Sequence, residues 1–430
     1  MPGEISRYFS PSSPNVLILQ TAFFSTLASF RPDLVGVTGY TAEVPQMWEV
    51  CRQVKAFDPA ITTVAGGYHV TLCPHDFDRE DVDIIVVGEG ELTVRELVTA
   101  LEEERDLSLV EGISYRKGGR LVATPRRPLV KDLSVLPLPA RHLSDQYRKH
   151  YHFHFWENPY LVEMSRGCPF RCTFCAVWMF HRRQCRYKSP ERVLDDLKAA
   201  PSRVICFVDD NFLQRPRQTE KLHQLVKESG LKARYWIQAR SDSIVRHPQL
   251  IRKWAEVGLD AALVGFEKID EKELAAVHKK SSISTNERAI EVLHEYGVDI
   301  WGTFIVDPQW TAVDFDALIE YVQRWKINFP IFTILTPIPG TLFFQEKMES
   351  LTSMNYGAFD FLHTVLPTKL PLEEFYANMA RLYAQTSMGL NELRQRVRSG
   401  RIPISALGRV REVLRDVTNP EAYLRSVPNA

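Results

Sequence analysis

Cys168, Cys172 and Cys175 lie close together in the run SRGCPFRCTFCAVW (165–178), with three and two residues between them. That spacing lets one loop wrap its sulfurs around a single metal centre. An iron–sulfur cubane normally takes four cysteines, so three leave one iron open to a substrate that can chelate it. The competing reading is a zinc site with Cys185 as a fourth thiolate. Structural zinc sites usually join two short knuckles, and this run holds one. Cys51, Cys73 and Cys206 read as buried small hydrophobes. Seven cysteines in 430 residues, an odd number with three clustered, do not suggest a disulfide framework.

The elements around the run alternate between strand and helix. PNVLILQ (14–20), DLVGVTGY (33–40), AITTVAGGYH (60–69) and VDIIVVGEGE (82–91) are short apolar runs, with helical patterns at 44–57 and 92–104. Such alternation predicts a parallel sheet, whose ligands bind at the carboxyl ends of its strands. The loops there carry Thr38 and Tyr40, then Gly66, Gly67 and Tyr68, then Gly88 and Glu89. Residues 112–128 read as β structure, and a proline-punctuated linker follows. Six further strands are expected at 160–165, 203–210, 234–240, 261–267, 299–306 and 331–337, with helices between, which predicts an incomplete or full βα barrel. The cysteine run directly follows the first of these. Beyond 348 the pattern is helical.

Lys plus Arg and Asp plus Glu are both 53, so no global field draws nucleic acid or anionic membrane. No stretch approaches the roughly 18 apolar residues of a spanning helix. MPGEISRYFSPSSP at the N-terminus lacks the apolar core of a secretory signal, so a cytoplasmic location is expected.

The Cys-x3-Cys-x2-Cys spacing, with Phe174 before the last cysteine, resembles that of the radical S-adenosylmethionine superfamily. FVDDNF (207–212), GFE (265–267), GTFIV (302–306) and TPIPGTLFF (336–344) resemble later strands of its branch that carries a cobalamin-binding domain. PDLVGVTGY, AGGYH and VVGEGE resemble strand ends of that domain. LHTVLPTKLPLEEFY (362–376) looks like the C-terminal segment of hopanoid C-3 methylases and anaerobic Mg-protoporphyrin ester cyclases. The resemblance implies an α/β chain. A Rossmann-like cobalamin-type domain would occupy 1–135, a linker 136–159, a radical S-adenosylmethionine partial (βα)6 barrel 160–346 and a helical region 347–430.

It also implies a 4Fe–4S cluster on Cys168, Cys172 and Cys175 that cleaves S-adenosylmethionine to a 5′-deoxyadenosyl radical. Phe174, Asp209, Gln238, Arg240, Glu267 and Ile305 would bind S-adenosylmethionine: Glu267 the ribose hydroxyls, Arg240 the methionine carboxylate, Ile305 the adenine. Loop capping by Asp209, ion pairing of Glu267 and Arg240, and core packing of Ile305 are the plainer alternatives. Thr38, Tyr40, Gly66, Gly67, Tyr68, Gly88 and Glu89 would meet cobalamin. The basic run Arg182, Arg183, Arg186, Lys188 reads as a solvated face, or as a contact for an acidic partner. Trp178 and Phe180 read as a shield for the cluster or as ordinary core.

Two departures from the family concern cobalamin. No Asp-x-His-x2-Gly run offers cobalt a histidine, and the segment before PDLVGV is short, as though one βα unit were missing. The leading expectation is therefore cobalamin-dependent methylation of an unactivated carbon on a small molecule, polycyclic or terpenoid-like. The alternatives are radical oxidation, cyclisation or rearrangement without cobalamin, and a non-catalytic metal or cofactor sensor. A flavodoxin or ferredoxin would supply electrons.

Overall fold

The computed structural model describes residues 14–153 and 155–425. β1 (Leu34–Thr38), β2 (Thr62–Gly66) and β3 (Ile84–Val86) are parallel neighbours. The antiparallel hairpin of β4 (Ile113–Lys117) and β5 (Arg120–Ala123) extends the sheet beyond β3. Successive side chains serve opposite faces. Ala65 and Ile85 pack with Val44, Met47 and Cys51 on one, while Val64, Ile84 and Val86 pack with Leu97 and Ala100 on the other.

One expected strand is a helix. PNVLILQ opens the helix Pro14–Phe30, and β1 forms the edge of the sheet, with no strand beyond it among the described residues. A short apolar run does not by itself separate a strand from a buried helix. Here the apolar pattern continues to Leu27, which packs with Val54 and Ile61, with no Gly or Pro to break it. Residues 1–13, read above for a signal, lie outside the described residues.

The hairpin of β6 (His152–Phe153) and β7 (Trp156–Glu157) leads to β8 (Tyr160–Val162), the first strand of the second sheet. An antiparallel pair, β9 (Ser165–Arg166) and β10 (Arg186–Tyr187), brackets the cysteine run. β11 (Val204–Phe207), β12 (Arg234–Ala239), β13 (Leu259–Glu267), β14 (Asp299–Val306) and β15 (Phe329–Ile334) follow. The six main strands are all parallel in the order β8-β11-β12-β13-β14-β15, an open partial barrel. Helices join them, and Ser189 and Ser282 cap two by accepting the Arg192 and Thr285 N–H groups.

Tyr160, Val162, Ile205, Phe207, Ile237, Val264 and Phe304 face the helices. Their neighbours along each strand face inward. Low in the barrel these are Cys206, Trp236, Ala261 and Trp301, which join Phe155 and Trp156 to form an aromatic floor. The Phe153 and Trp301 rings stack 5.5 Å apart. Ile402 and Ala406 of the C-terminal region seal this floor from beneath, flanked by Leu393, Val397 and Val410. Arg396 of helix Leu390–Arg398 reaches Asp299 at the start of β14 with two hydrogen bonds, 2.5 and 3.1 Å.

Both members of that pair are buried, so Arg396→Ala strands a carboxylate in the floor. Arg401, 3.4 Å from the same carboxylate, compensates only in part. The substitution is expected to cost about 3 kcal/mol, read as a lower urea midpoint at unchanged m-value. An unshifted midpoint would show that the C-terminal region is not fastened here.

Candidate functional site

Two sets of strand ends meet across a cavity of about 570 Å3. The first sheet contributes Thr38, Gly66, Gly67, Tyr68, Gly88 and Glu89; the barrel side contributes Ser165, Arg166, Phe180, His181, Val208 and Asp210. Tyr40 stands beside them, exposed, its ring 5.9 Å from that of Tyr68. Gly67 has φ +106°, and a Cβ there would come within 2.6 Å of Thr38 Oγ1, so only glycine lets these two loops touch.

The cavity continues as a slot against the first sheet, between Leu34, Val64, Val94 and Leu97. A Cβ on Gly36 would meet nothing within 4 Å. The slot is apolar and open beside β1, the kind of space a flat aromatic group fills.

Cys168, Cys172 and Cys175 occupy the loop between β9 and the helix Val177–Phe180. Gly167, at φ +91°, lets the loop leave β9 where a Cβ would lie 2.2 Å from Gln184 O. Its N–H donates to Asp210 Oδ2 at 2.9 Å, and Trp178 Nε1 donates to Cys172 O at 3.0 Å. Burial pushes the Cys168 thiol up to about 11 and the Cys175 thiol to about 12, so these sulfurs need a metal to become thiolates near neutral pH. No three of Cys168, Cys172, Cys175 and Cys185 lie within 4.8 Å of one another. Sulfurs on one zinc would stand about 3.8 Å apart, by the Zn–S bond length and tetrahedral geometry. As a set, the sulfurs stand wider apart than that.

The other expected contacts divide. Phe174 and Ile305 do come together, packed with Leu335, Phe343 and Leu366 beside the cysteine loop. Gln238 lies on the inward side of β12, between Ile237 and Ala239 of the outer layer. Glu267 has φ +66° at a register shift between β13 and β14. Such a bulge re-aims its side chain. Lys279 Nζ donates to its Oε1 at 2.6 Å.

Arg240 and Asp209 are committed to structure. Arg240 donates to Asp242 Oδ1 at 2.8 Å and to Lys279 O at 2.5 Å, and its guanidinium lies 3.5 Å from the centre of the Phe170 ring. It thereby braces Phe170 within the cysteine loop. Asp209 is fully buried and accepts from Ser165 Oγ and from the Met164 N–H. Burial pushes its carboxyl up to about 7, against the pull of those bonds, and pushes Asp210 up to about 6.

Residues 162–322 match the Radical SAM superfamily, and residues 12–98 match the B12 binding domain. The chain belongs to the radical S-adenosylmethionine superfamily, in its B12-domain branch. Hopanoid C-3 methylase of Methylococcus capsulatus is 29% identical over 366 residues, covering 84% of this chain and 69% of that protein. Anaerobic magnesium-protoporphyrin IX monomethyl ester cyclase of Rubrivivax gelatinosus is 27% identical over 352 residues, 79% of this chain and 63% of the relative. Among solved structures, the cobalamin-dependent radical enzyme OxsB superposes with a TM-score of 0.66 at 16% identity, covering 94% of this chain and 68% of its own. The radical methyltransferase TsrM from Kitasatospora setae reaches 0.62 at 18% identity, covering 78% and 68%. At such identities the superpositions speak for the fold.

This radical S-adenosylmethionine enzyme therefore has a 4Fe–4S cluster, S-adenosylmethionine and cobalamin as its cofactors. No helix among its described residues is long and apolar enough to cross a membrane.

The basic run is a solvated face only in part, at the exposed Arg183. Arg186 and Lys188 are buried: Arg186 Nη1 holds both oxygens of Glu89, at 2.8 and 2.7 Å, and Lys188 Nζ lies 3.2 Å from Glu163. Arg166 Nη1 donates to Glu89 at 2.9 Å and Nη2 to Glu91 at 2.5 Å. Burial acts to raise the Glu89 carboxyl, but the bonds from Arg186 and Arg166 outweigh it and hold the carboxyl below its usual range. Glu89, which also borders the cavity, ties the two domains together. The signal in the sequence was Arg186-Tyr187-Lys188, whose alternation marks a strand rather than a surface coil.

His181 was also missed. Its Nδ1 lies 2.8 Å from Arg186 Nη2, and its Nε2 lies 3.1 Å from the Tyr68 hydroxyl. Burial, with Arg186 beside it, pushes its pKa down to about 4. The unfolded imidazole takes its proton near pH 6.5, the folded one only near 4. Stability due to neutral His181 is thus present above 6.5 and lost as pH falls through that window. The stability of the wild type is expected to fall, relative to His181→Gln, by up to about 1.4 kcal/mol per pH unit as pH drops from 6.5 to 4. Urea titrations of the cluster-free chain check this, and parallel pH profiles would contradict it.

Proposed function

We propose that this chain methylates an unactivated carbon of an apolar small molecule. Cys168, Cys172 and Cys175 hold the 4Fe–4S cluster. When bound, the cluster supplies the electron that splits the S-adenosylmethionine sulfonium to a 5′-deoxyadenosyl radical, and cobalamin supplies the methyl group. The reading rests on one observation: residues flanking the cysteine loop on both sides, Ser165, Arg166, Phe180 and His181, and the strand ends of a B12-type sheet border the same cavity.

The chain's own side chains orient the reactants and exclude water. Phe174 and Ile305 offer an apolar wall to the adenosine, and Trp178 and Phe180 close the cluster loop from solvent. Glu267, one oxygen taken by Lys279, keeps the other for the ribose hydroxyls, and Gln238 offers an amide beside them. Thr38, Tyr40, Gly66, Gly67, Tyr68 and Gly88 form the shelf for the corrin, with its flat base in the slot at Gly36.

The substrate class follows from apolar side chains that stay exposed in the cavity. Val94 is 39% exposed and Val208 38% exposed, and both line the cavity. Apolar side chains left open there suit an extended hydrocarbon or polycyclic ring system better than a charged metabolite. We assign residues 1–135 to corrinoid binding, 160–346 to radical formation and 347–430 to closure of the barrel, and we expect a flavodoxin or ferredoxin as electron donor.

Anaerobically purified protein carrying corrinoid should convert S-adenosylmethionine and dithionite to 5′-deoxyadenosine and S-adenosylhomocysteine. Product mass spectrometry should find one added methyl group. Cys172→Ala should lose most of its iron and deoxyadenosine formation together. Unchanged iron and deoxyadenosine in that variant would end the radical reading. Full substrate turnover by corrinoid-free protein would end methyl transfer from cobalamin.

A further inference from the structure

At the barrel end of the cavity, Tyr68 is held in one hydrogen-bonding state. Arg186 can only donate, so His181 Nδ1 must accept from it at 2.8 Å. The neutral imidazole then carries its proton on Nε2, which donates to Tyr68 Oη at 3.1 Å. Glu89 fixes Arg186 from behind, and Phe180 fixes the Tyr68 ring by stacking at 4.2 Å. With its oxygen accepting from His181, the phenol has its own proton left to give, and no acceptor among the described residues receives it. Asp210 borders the same cavity. One of its oxygens accepts the Gly167 N–H, and the other is left to accept from a ligand.

The cavity thus presents a fixed O–H donor and a carboxylate acceptor. A free carboxylate would be repelled by Asp210, and an ammonium would have nothing to accept from Tyr68. A primary carboxamide satisfies both, its carbonyl taking the Tyr68 proton and its NH2 giving one to Asp210. The rim of a corrin ring carries several such carboxamides, and this end of the cavity lies away from the slot that suits the flat base. We propose that Tyr68 and Asp210 clamp one carboxamide of the corrin rim, making them specificity determinants for the amidated cofactor. The proposal rests on the corrinoid reading above.

The test titrates full-length, cluster-reconstituted protein, purified without corrinoid, and follows the visible spectrum. The probes are cobalamin and its three propionamide-derived monocarboxylic acids, each with one amide hydrolysed. Tyr68→Phe should weaken cobalamin binding about tenfold, the loss of one hydrogen bond to a buried partner. One monocarboxylic isomer should bind the wild type at least tenfold more weakly than cobalamin, and Asp210→Asn should restore that isomer selectively. If cobalamin binds but Tyr68→Phe and all three isomers stay within twofold of it, the clamp is overturned and the corrinoid reading stands. If the wild type binds no cobalamin, both fall. Should Asp210→Asn fail to fold, the isomer series on the wild type still decides.

Discussion

Glu89 is a carboxylate buried at a seam between two domains, and its charge survives because Arg166 and Arg186 converge on it from the other side. A buried ion of this kind is costly unless it is well paired and fully hydrogen-bonded, so the pairing tolerates little sliding. Arg166 follows β8 by a few residues and precedes the cysteine loop; Arg186 closes that loop. Gripping both ends of the loop from the GEG turn sets the height of the cysteines above the first sheet. The stacking of the Tyr68 ring on Phe180 across the seam presupposes that height.

The same seam explains the polarity of its neighbours. Arg186 spends its second nitrogen on His181, which keeps that imidazole neutral and passes a hydrogen bond to Tyr68. Arg166 also reaches Glu163 at the end of β8, as does Lys188. Charges that would be expensive singly form one chain of alternating sign, and it is anchored at both ends in regular structure. Buried networks are stable only when nearly every member is satisfied, and this one nearly is.

Much of this was legible in the chain, because the signals were periodic or dense. Six apolar runs separated by amphipathic helices could scarcely be anything but a parallel barrel, and three cysteines at that spacing have few uses. What escaped was long-range pairing. PNVLILQ looked like a strand because a short apolar run is ambiguous, and only Leu27 packing on Val54 and Ile61 decides for a helix. Arg186 and Lys188 looked solvated because nothing nearby in sequence neutralises them; their partners are Glu89, 97 residues away, and Glu163. The partners of Arg240 were likewise hidden, since Lys279 O lies 39 residues away.

The aromatic floor couples ends of the chain that are made far apart in time. Its hairpin and the helix beneath it meet through contacts such as Arg409 to Glu157, 252 residues apart. Until ribosomal synthesis reaches the last helices, the lower mouth of the barrel has no lid. Contacts of such sequence separation form late. The rings of the floor would face bulk water from below in the nascent protein. Docking of the C-terminal helices is therefore what turns the barrel's open end into closed core.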